Sequence, residues 1–294
     1  MEISKVGVLG AGLMGHGIAQ VSAEAGYDVV LREVDEGRLQ KGIGRIEKQL
    51  ARAVEKGKAE QSQADEVRGR IQTTLDYADF GDCDLVIEAI TENLDLKLEM
   101  WRELDGIVKD GAVLATNTSS LSVIDQAAAT SKAERFIGLH FFNPVQRMPL
   151  LEVVKTITTD DESLQTGLEY GAKLGKQVVQ AKDKTGFIVN RLLVPYMLDA
   201  IRAYENGVGS IEEIDMAMKG GAAHPMGPFT LLDFVGLDTT KSIADIMFDE
   251  YRETRFAAPP TLRKMVAAGF YGTKSGRGFY DYSGEKPVPV DPGL

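Results

Sequence analysis

A glycine-rich loop near the start of the chain restricts the possible folds more than any other feature. Residues 6–9 form a short apolar run, and Gly10, Gly12 and Gly15 follow at G-x-G-x-x-G spacing before a helical pattern over residues 13–25. This order predicts a strand, a tight turn and a helix. Gly10 permits the turn, and Gly15 lets the helix pack closely on the strand. Gly12 has no Cβ, so a pyrophosphate can approach the backbone there. The loop therefore predicts a Rossmann-type dinucleotide site, with the phosphates at the helix N-terminus.

A second apolar strand, residues 28–31, ends beside Arg32 and Glu33. An acidic side chain about 20 residues beyond the glycines can accept hydrogen bonds from an adenosine ribose and repel a 2′-phosphate. We therefore expect Glu33 to favour NAD over NADP. Two alternatives stay open, because Arg32 could turn toward a phosphate and because both residues could form no more than a solvated strand end.

Strand and helix patterns continue to alternate through the first part of the chain. The segment at residues 36–70 is long and charged where an ordinary Rossmann unit has a short crossover, and it predicts an inserted pair of helices. Helices are also expected at residues 94–108 and 160–174. Further strands are expected at residues 71–75, 84–90, 112–116, 135–142, 150–155 and 176–181.

The alternation stops at a linker, residues 183–186, and only helical patterns follow. The predicted fold class is therefore α/β, with a Rossmann-type, mostly parallel sheet and a helical-pair insertion in an NAD-binding domain at residues 1–184. A smaller all-α domain at residues 185–294 would serve substrate binding and dimerisation, since its first helix is too apolar to stand alone. Its helices are expected at residues 187–206, 210–219, 230–252 and 260–267.

The first inserted helix carries a basic stripe opposite its apolar face. At about 100° per residue, one side of the helix collects four apolar residues and the other side collects five basic ones. A charged helix face is usually only solvated, but an anion-binding stripe is the alternative in so acidic a chain. The apolar residues are Ile43, Ile46, Leu50 and Val54, and the basic residues are Lys41, Arg45, Lys48, Arg52 and Lys56.

Polar residues follow several of the predicted strands. Glu92 comes after the fourth strand, and a cluster at residues 117–120 comes after the fifth. Ligands of open α/β sheets bind outside the carboxyl ends of the strands, so these residues should lie near the nicotinamide end of a dinucleotide. Ser119 could instead cap the next helix, although Ser120 could do so equally well.

The chain has three histidines and one cysteine. His140 ends a buried strand at the catalytic edge of the sheet, where it is either a catalytic residue or a core histidine with satisfied hydrogen bonds. His16 is expected on a helix surface and His224 in a turn. Together with Cys83 the histidines show no metal-ligand spacing, so no metal site is expected.

Composition excludes several classes of protein. The net charge of −11 and the isoelectric point near 4.9 argue against binding to nucleic acid or to an anionic membrane surface. Neither a secretion signal nor a run of about 18 apolar residues is visible. One cysteine permits no intrachain disulfide. We therefore expect a cytoplasmic protein.

Several ordered motifs together resemble the short, single-function 3-hydroxyacyl-CoA dehydrogenases, especially the bacterial 3-hydroxybutyryl-CoA dehydrogenases. The resemblance spans nearly the whole chain. The motifs are GAGLMGHGIAQ, DLVIEAITEN, ATNTSSLS, GLHFFNPV, LLEVV, GFIVNRLL, the HPMGP turn and the closing KSGRGFYDY.

The resemblance implies roles for individual residues. The catalytic histidine of the family falls on His140 and its glutamate partner on Glu152, while the substrate-contacting serine and asparagine fall on Ser119 and Asn190. Contacts on the nicotinamide side fall on Glu92, Lys97 and Asn117. The full set of expected cofactor-binding residues is Gly10, Gly12, Leu13, Met14, Gly15, Glu33, Glu92, Lys97, Asn117 and Asn143.

The implied activity is NAD-dependent interconversion of (S)-3-hydroxyacyl-CoA, especially 3-hydroxybutyryl-CoA, and 3-oxoacyl-CoA, in fatty acid or butyrate metabolism. Because Asn190 belongs to the second domain, the substrate is expected between the domains of a homodimeric enzyme. Arg52 and Lys56 are expected to hold the 3′-phosphate of coenzyme A. Two alternatives remain, namely a 3-hydroxyacid or sugar-acid dehydrogenase of similar architecture and a noncatalytic NAD-binding relative.

Overall fold

The computed structural model describes residues 1–292. The chain divides into two compact units, of which the first comprises Met1–Phe187 and the second begins at Ile188. The first unit contains alternating strands and helices. The second unit is mainly helical.

The first unit is built on one eight-stranded sheet with the order β3-β2-β1-β4-β5-β6-β7-β8. All neighbouring strands are parallel except β6 and β7, which are antiparallel. The strand order reverses beside β1, so the loop after β1 lies at a topological switch point, where such sheets bind ligands. The strands are β1 (Lys5–Leu9), β2 (Asp28–Arg32), β3 (Ile71–Thr74), β4 (Leu85–Glu88), β5 (Val113–Thr116), β6 (Phe136–Phe141), β7 (Leu150–Lys155) and β8 (Gln177–Lys182).

Apolar side chains cover both faces of this sheet. Leu85 and Ile87 of β4 belong to one buried cluster, while Val86 between them belongs to another. A strand covered on both faces needs a continuous apolar sequence, which explains the pattern of residues 84–90. The helices of this unit are α1 (Gly15–Glu24), α2 (Glu36–Glu55), α3 (Gln61–Gly69), α4 (Leu94–Asp105), α5 (Val123–Ala127) and α6 (Asp161–Lys173).

The inserted helical pair is present as α2 and α3. The side chain of Asp35 caps α2 by accepting a hydrogen bond of 2.9 Å from the backbone N–H of Arg38. Ile43, Ile46 and Leu50 are buried, as the helical spacing predicts. Gly42 packs closely against the glycine-rich loop. A Cβ at this position would lie only 2.6 Å from the carbonyl oxygen of Ala11.

The second unit differs from the expected helices at one place. A single helix was predicted over residues 230–252, but two helices are present and Gly236 separates them with a φ of 101°. That left-handed conformation ends one helix and favours glycine. A short hairpin follows the helices. The elements are α7 (Val189–Glu205), α8 (Ile211–Gly221), α9 (Pro228–Val235), α10 (Leu237–Tyr251), α11 (Pro260–Ala267), β9 (Tyr280–Asp281) and β10 (Val288–Pro289).

Asp233 of α9 explains part of the closing motif KSGRGFYDY. Its buried carboxylate accepts hydrogen bonds from the backbone N–H groups of Phe279 and Tyr280, at 2.9 and 2.8 Å, and from the hydroxyl of Tyr282 at 3.0 Å. Gly278 has no room for a Cβ beside this carboxylate. Burial raises the pKa of Asp233 to about 6, even though these hydrogen bonds oppose the rise. The motif therefore holds residues 278–282 against α9.

A helix that crosses a bilayer needs about 20 predominantly apolar residues. Residues 1–292 contain no helix with the length and apolar character for such a span.

Candidate active site

The three loop glycines meet three different steric demands. Gly10 has a φ of 93°, a backbone conformation that favours glycine. A Cβ at Gly15 would lie 1.7 Å from the carbonyl oxygen of Gly10, so α1 packs on the loop only without a side chain there. A Cβ at Gly12 would meet no heavy atom within 4 Å. The structure thus needs glycine at two of the positions, and the third faces open space.

A cavity of about 550 Å³ lies beside this loop. Gly10, Gly12 and Met14 form one wall, with Leu13, which is 62% exposed. Glu33 at the end of β2 also lines the cavity, and its carboxylate accepts hydrogen bonds from the backbone N–H groups of Ala11 at 3.0 Å and Val34 at 2.8 Å. The cavity, the absent side chain at Gly12 and the acidic group at its edge together fit a dinucleotide without a 2′-phosphate.

Arg32 is held in place by contacts with Tyr77 and Leu75. Its guanidinium carbon lies 3.5 Å from the centre of the Tyr77 ring, and its Nε donates a hydrogen bond of 3.1 Å to the carbonyl oxygen of Leu75. This stacked position resembles a cation–π contact. Arg32 therefore lines the cavity along Tyr77.

His140 and Glu152 form a buried pair on adjacent strands. The antiparallel register of β6 and β7 places them directly opposite each other, and His140 Nδ1 lies 2.5 Å from Glu152 Oε2. His140 is 5% exposed and Glu152 is fully buried. The rings of Phe142 and Phe187 lie 4.4 and 5.5 Å from the imidazole, measured between ring centres. The pair is thus fixed by the sheet and covered by aromatic side chains.

A second buried pair, Glu88 and Lys97, lies at the end of β4, and the sequence analysis named Lys97 but missed Glu88. Glu88 is fully buried and accepts a hydrogen bond of 2.5 Å from Lys97, which is 1% exposed. Thr116 and the backbone N–H of Ile90 also donate to Glu88, at 2.6 and 2.7 Å. One signal could have revealed Glu88, because it is the single charged residue inside the apolar run LVIEAI.

Glu92 organises the polar segment after β5. Its Oε1 accepts hydrogen bonds from Thr118 Oγ1 at 2.6 Å and from Ser119 N–H at 3.0 Å, and Ser119 Oγ lies 3.4 Å away. Burial would raise the pKa of Glu92, but the charge of Lys97 and these hydrogen bonds outweigh it and lower the pKa. The structure therefore brings Glu92 and Ser119 together, with Glu92 ionised.

The capping role considered for Ser119 or Ser120 falls to another residue. The side chain of Ser122 accepts the capping hydrogen bond from Asp125 N–H, at 3.2 Å, at the start of α5. Neither Ser119 nor Ser120 caps the helix, because α5 begins at Val123, later than the polar cluster suggested.

The two asparagines expected at the cofactor lie near the same edge of the sheet. Asn117 directly follows β5, and its Oδ1 accepts a hydrogen bond of 3.0 Å from the backbone N–H of Phe141. Asn143 is exposed two residues beyond the end of β6. Asn117 therefore connects the ends of β5 and β6.

The remaining candidates lie on helices. Asn190 is partly buried in the first turn of α7, in the second unit. Arg52 lies in the last turn of α2 and Lys56 directly follows that helix, and both are exposed.

His16 is not on the surface, contrary to the expectation. It is 6% exposed, and its Nδ1 lies 2.6 Å from the carbonyl oxygen of Gly12. The prediction was wrong because α2, inserted after β2, covers the start of α1, and Gln49 of α2 reaches the ring at 3.4 Å. Burial lowers the pKa of His16. His224 contacts Tyr196, whose hydroxyl lies 3.0 Å from Nδ1.

Taken together, the reversed strand order, the glycine loop and the adjoining cavity define a dinucleotide-binding fold of the dehydrogenase type. Comparison with known families narrows this class. Residues 5–184 match the 3-hydroxyacyl-CoA dehydrogenase, NAD binding domain, and residues 186–282 match the 3-hydroxyacyl-CoA dehydrogenase, C-terminal domain.

Individual proteins agree with the family match. A 3-hydroxybutyryl-CoA dehydrogenase of Mycobacterium tuberculosis is 50% identical over 282 residues, covering 95% of this chain and 99% of that protein. The mitochondrial hydroxyacyl-coenzyme A dehydrogenase of Sus scrofa is 46% identical over 95% of this chain and 91% of its own length. The crystal structure of (S)-3-hydroxybutyryl-CoA dehydrogenase from Ralstonia eutropha is 40% identical and superposes with a TM-score of 0.93, covering 96% of this chain and 100% of that chain.

The chain belongs to the 3-hydroxyacyl-CoA dehydrogenase family. It is an enzyme, an NAD-dependent dehydrogenase, and its cofactor is NAD.

Proposed function

We propose that the chain interconverts (S)-3-hydroxybutyryl-CoA and acetoacetyl-CoA, with His140 as general base and Glu152 as its partner. The similar proteins that carry the name 3-hydroxybutyryl-CoA dehydrogenase support this substrate. The contact of 2.5 Å between His140 and Glu152 supports the assignment of the base. A buried imidazole bound to a buried carboxylate is an arrangement suited to proton transfer.

The carboxylate of Glu152 fixes the tautomer of the neutral imidazole. An ionised carboxylate only accepts hydrogen bonds, so Nδ1 of His140 must carry the proton in the contact between them. In the neutral ring Nε2 is then the acceptor, and a substrate hydroxyl would deliver its proton there. Glu152 stabilises the imidazolium that results, since it lies within hydrogen-bond distance of the new charge.

The reaction removes a proton and a hydride from the substrate. NAD, when bound, would supply one half of the chemistry as the acceptor of the hydride from C3. His140 supplies the other half by taking the hydroxyl proton, as histidine is the side-chain type that most readily exchanges protons near neutral pH. In the reducing direction the same imidazolium returns this proton to the oxygen.

Ser119 and Asn190 are proposed to position the substrate. Each can donate a hydrogen bond to the reacting oxygen or to the thioester carbonyl and so hold C3 in place. Ser119 follows β5 and is held by Glu92, whereas Asn190 lies at the start of α7.

We propose the same NAD-contacting residues that the sequence suggests, with one change. Lys97 is 1% exposed and bonded to Glu88, so we assign it a role through Glu92 in place of a direct contact. The residues proposed to touch the cofactor are Gly10, Gly12, Leu13, Met14, Gly15, Glu33, Glu92, Asn117 and Asn143.

Arg52 and Lys56 are proposed to hold the 3′-phosphate of coenzyme A. The acidic chain repels this anionic substrate as a whole, and a local basic cluster offsets that repulsion. Two carboxylates at α2, Asp35 and Glu47, form ion pairs with Arg38 and Arg68, which are not members of the stripe.

A cytoplasmic homodimer is proposed as the working form. Exposed apolar side chains on the second unit, such as Leu192 at 67% and Met216 at 62%, suit contact with a second copy. Sedimentation of the purified protein at twice the monomer mass would support the dimer, and a monomer at working concentration would contradict it. Cell fractionation tests the compartment.

One assay tests the proposed reaction against its alternatives. NADH oxidation is followed with acetoacetyl-CoA and, separately, with free acetoacetate. Turnover of the thioester alone supports the proposal. Turnover of the free acid with equal efficiency would instead indicate a 3-hydroxyacid dehydrogenase.

A further inference from the structure

Glu88 is a buried carboxylate that the proposed reaction does not use. Its donors come from three separate segments: the loop after β4, the helix α4 and the strand β5. A buried ion pair is seldom more stabilising than apolar side chains of the same volume, because both charges lose their hydration. Stability alone is therefore a weak reason for the pair of Glu88 and Lys97.

Lys97 lies between two carboxylates. Its Nζ is 2.5 Å from Glu88 Oε1 and 3.4 Å from Glu92 Oε2. Because Lys97 is 1% exposed, solvent contributes little to balancing its charge. The shorter distance shows that Glu88 is its main partner. Glu92 is therefore left with one oxygen directed at the segment after β5.

That oxygen of Glu92 holds the Ser119 segment. Oε1 accepts from Thr118 Oγ1 at 2.6 Å and Ser119 N–H at 3.0 Å, and the hydroxyls of Ser119 and Ser120 lie 3.4 and 3.3 Å away. A shift of Glu92 toward Lys97 would lengthen these contacts. The position of Ser119 thus depends on how strongly Lys97 attracts Glu92.

We propose that Glu88 is a positioning residue, which holds Lys97 and so lets Glu92 keep Ser119 in place for the substrate. This inference rests on the proposed role of Ser119. In a Glu88→Gln variant Lys97 has a single carboxylate partner, Glu92, and draws it closer than 3.4 Å. Ser119 then loses the acceptor of its backbone N–H.

Asp84, next to the start of β4, supplies a control. It precedes β4, whereas Glu88 ends it, and it too is a buried carboxylate paired with a lysine, Lys109 at 2.5 Å. Its other donors are Ser4 and Lys5, at the opposite edge of the sheet from the candidate site. Asp84→Asn therefore removes the same charge just before the start of β4 without touching the Ser119 segment.

The test combines Glu88→Gln, Asp84→Asn and Ser119→Ala with the double variant of Glu88 and Ser119. We expect Glu88→Gln to lower kcat/KM for acetoacetyl-CoA by about tenfold or more, as small misplacements of reacting groups do. Asp84→Asn should change it less than about twofold. In the Ser119→Ala background, Glu88→Gln should lower kcat/KM by less than about twofold, because the two residues act through the same series of contacts.

A crystal structure of Glu88→Gln gives a readout that does not depend on activity. The distance from Glu92 Oε1 to Ser119 N, 3.0 Å here, should exceed hydrogen-bond length in the variant. If Glu88→Gln does not fold, Thr116→Val replaces it. That variant keeps the carboxylate charge, and it removes one donor to Glu88 together with the acceptor of the Thr118 backbone N–H. It should lower kcat/KM by about twofold to threefold when Ser119 is present and by less when Ser119 is replaced by alanine.

Three results would overturn the inference: equal losses in Glu88→Gln and Asp84→Asn, an undiminished loss in the Ser119→Ala background, or an unchanged Glu92–Ser119 contact in the crystal. The proposed function fails separately. If wild type does not turn over acetoacetyl-CoA, or if Ser119→Ala matches wild type, the error lies in the substrate or in the role of Ser119, while the crystallographic distance still tests Glu88.

Discussion

His140 and Glu152 lie opposite each other across the single antiparallel strand pair of the eight-stranded sheet. Their register brings Nδ1 and Oε2 to 2.5 Å without help from a loop. A pair fixed by two interior strands keeps its geometry when neighbouring loops move. The proposed base is thus oriented before any substrate binds.

Replacing His140 should remove the proton acceptor and leave the fold intact. We expect His140→Gln to lower kcat by about 10²–10⁴-fold, the usual range for a general base, with NADH affinity close to wild type. Stopped-flow turnover and a fluorescence titration with NADH measure the two quantities. A variant that works at the wild-type rate would contradict the mechanism.

Glu33 should set the preference for NAD. Glu33→Gln removes the charge that would repel a 2′-phosphate, so we expect weaker NAD binding and a kcat/KM ratio for NAD over NADP at least about tenfold lower. Asp28→Asn is the control, since Asp28 is exposed at the other end of β2 and pairs with Arg70. Equal kinetics of wild type and Glu33→Gln with both cofactors would place the ribose contact elsewhere.

Substitutions at two of the loop glycines should have different effects, one on NADH binding and the other on the stability of the fold. Gly12→Ala adds a Cβ in open space, so its free energy of unfolding should change by less than about 0.5 kcal/mol while NADH affinity falls. Gly15→Ala forces a Cβ against the backbone of Gly10 and should cost about 3 kcal/mol or more. Urea unfolding and NADH titration distinguish the variants. Full affinity in Gly12→Ala would mean that no phosphate approaches this position.

Asp84 should make the stability of the first unit depend on acid pH. Burial would raise the pKa of Asp84, but Lys109 and the N–H groups of Ser4 and Lys5 lower it from 3.8 to about 2. A carboxylate with a lowered pKa in the folded state stabilises the fold at pH values above its unfolded-state pKa. This stabilisation is lost as the pH falls through the folded-state pKa of about 2. Asp84→Asn should therefore cost about 2 kcal/mol at pH 7, and the cost should shrink steadily below about pH 4.

Urea unfolding of wild type and Asp84→Asn, measured side by side from about pH 7 down to about pH 3, checks this dependence. A difference that stays constant over the whole range would show that Asp84 contributes through shape and not through its charge.

Much of the first unit could be predicted because its signals are local. A strand buried on both faces must be apolar throughout, and a helix on the sheet must be apolar on one side, so strands such as Leu150–Lys155 and the pair of inserted helices follow from the spacing alone. The positions where glycine is required also follow, since a tight turn before a helix has few solutions.

Features that depend on distant neighbours could not be read in this way. Gly236 divides an otherwise continuous helical pattern because its backbone adopts a left-handed conformation, which sequence periodicity does not reveal. His16 is buried because α2 covers it, although α2 follows in the chain. Glu88 could be recognised as unusual inside an apolar strand, but its partners Lys97 and Thr116 come from two other elements.

The basic stripe on α2 gives the last prediction, which separates a phosphate contact from general attraction. Arg52→Gln combined with Lys56→Gln should raise KM for acetoacetyl-CoA with little change in kcat, because contacts far from C3 act equally in the ground and transition states. Lys41→Gln combined with Arg45→Gln is the matched control, since it removes the same charge from the same exposed face nearer the start of the helix.

Dephospho-coenzyme A substrates decide whether the contact is with the 3′-phosphate. Wild type and the control double variant should prefer acetoacetyl-CoA over its dephospho form, which lacks the 3′-phosphate. The double variant of Arg52 and Lys56 should lose that preference, because it lacks the side chains that would bind the phosphate. A similar rise in KM for both double variants would indicate long-range attraction alone. If the Arg52 and Lys56 variant discriminates as strongly as wild type, the stripe is a solvated helix face.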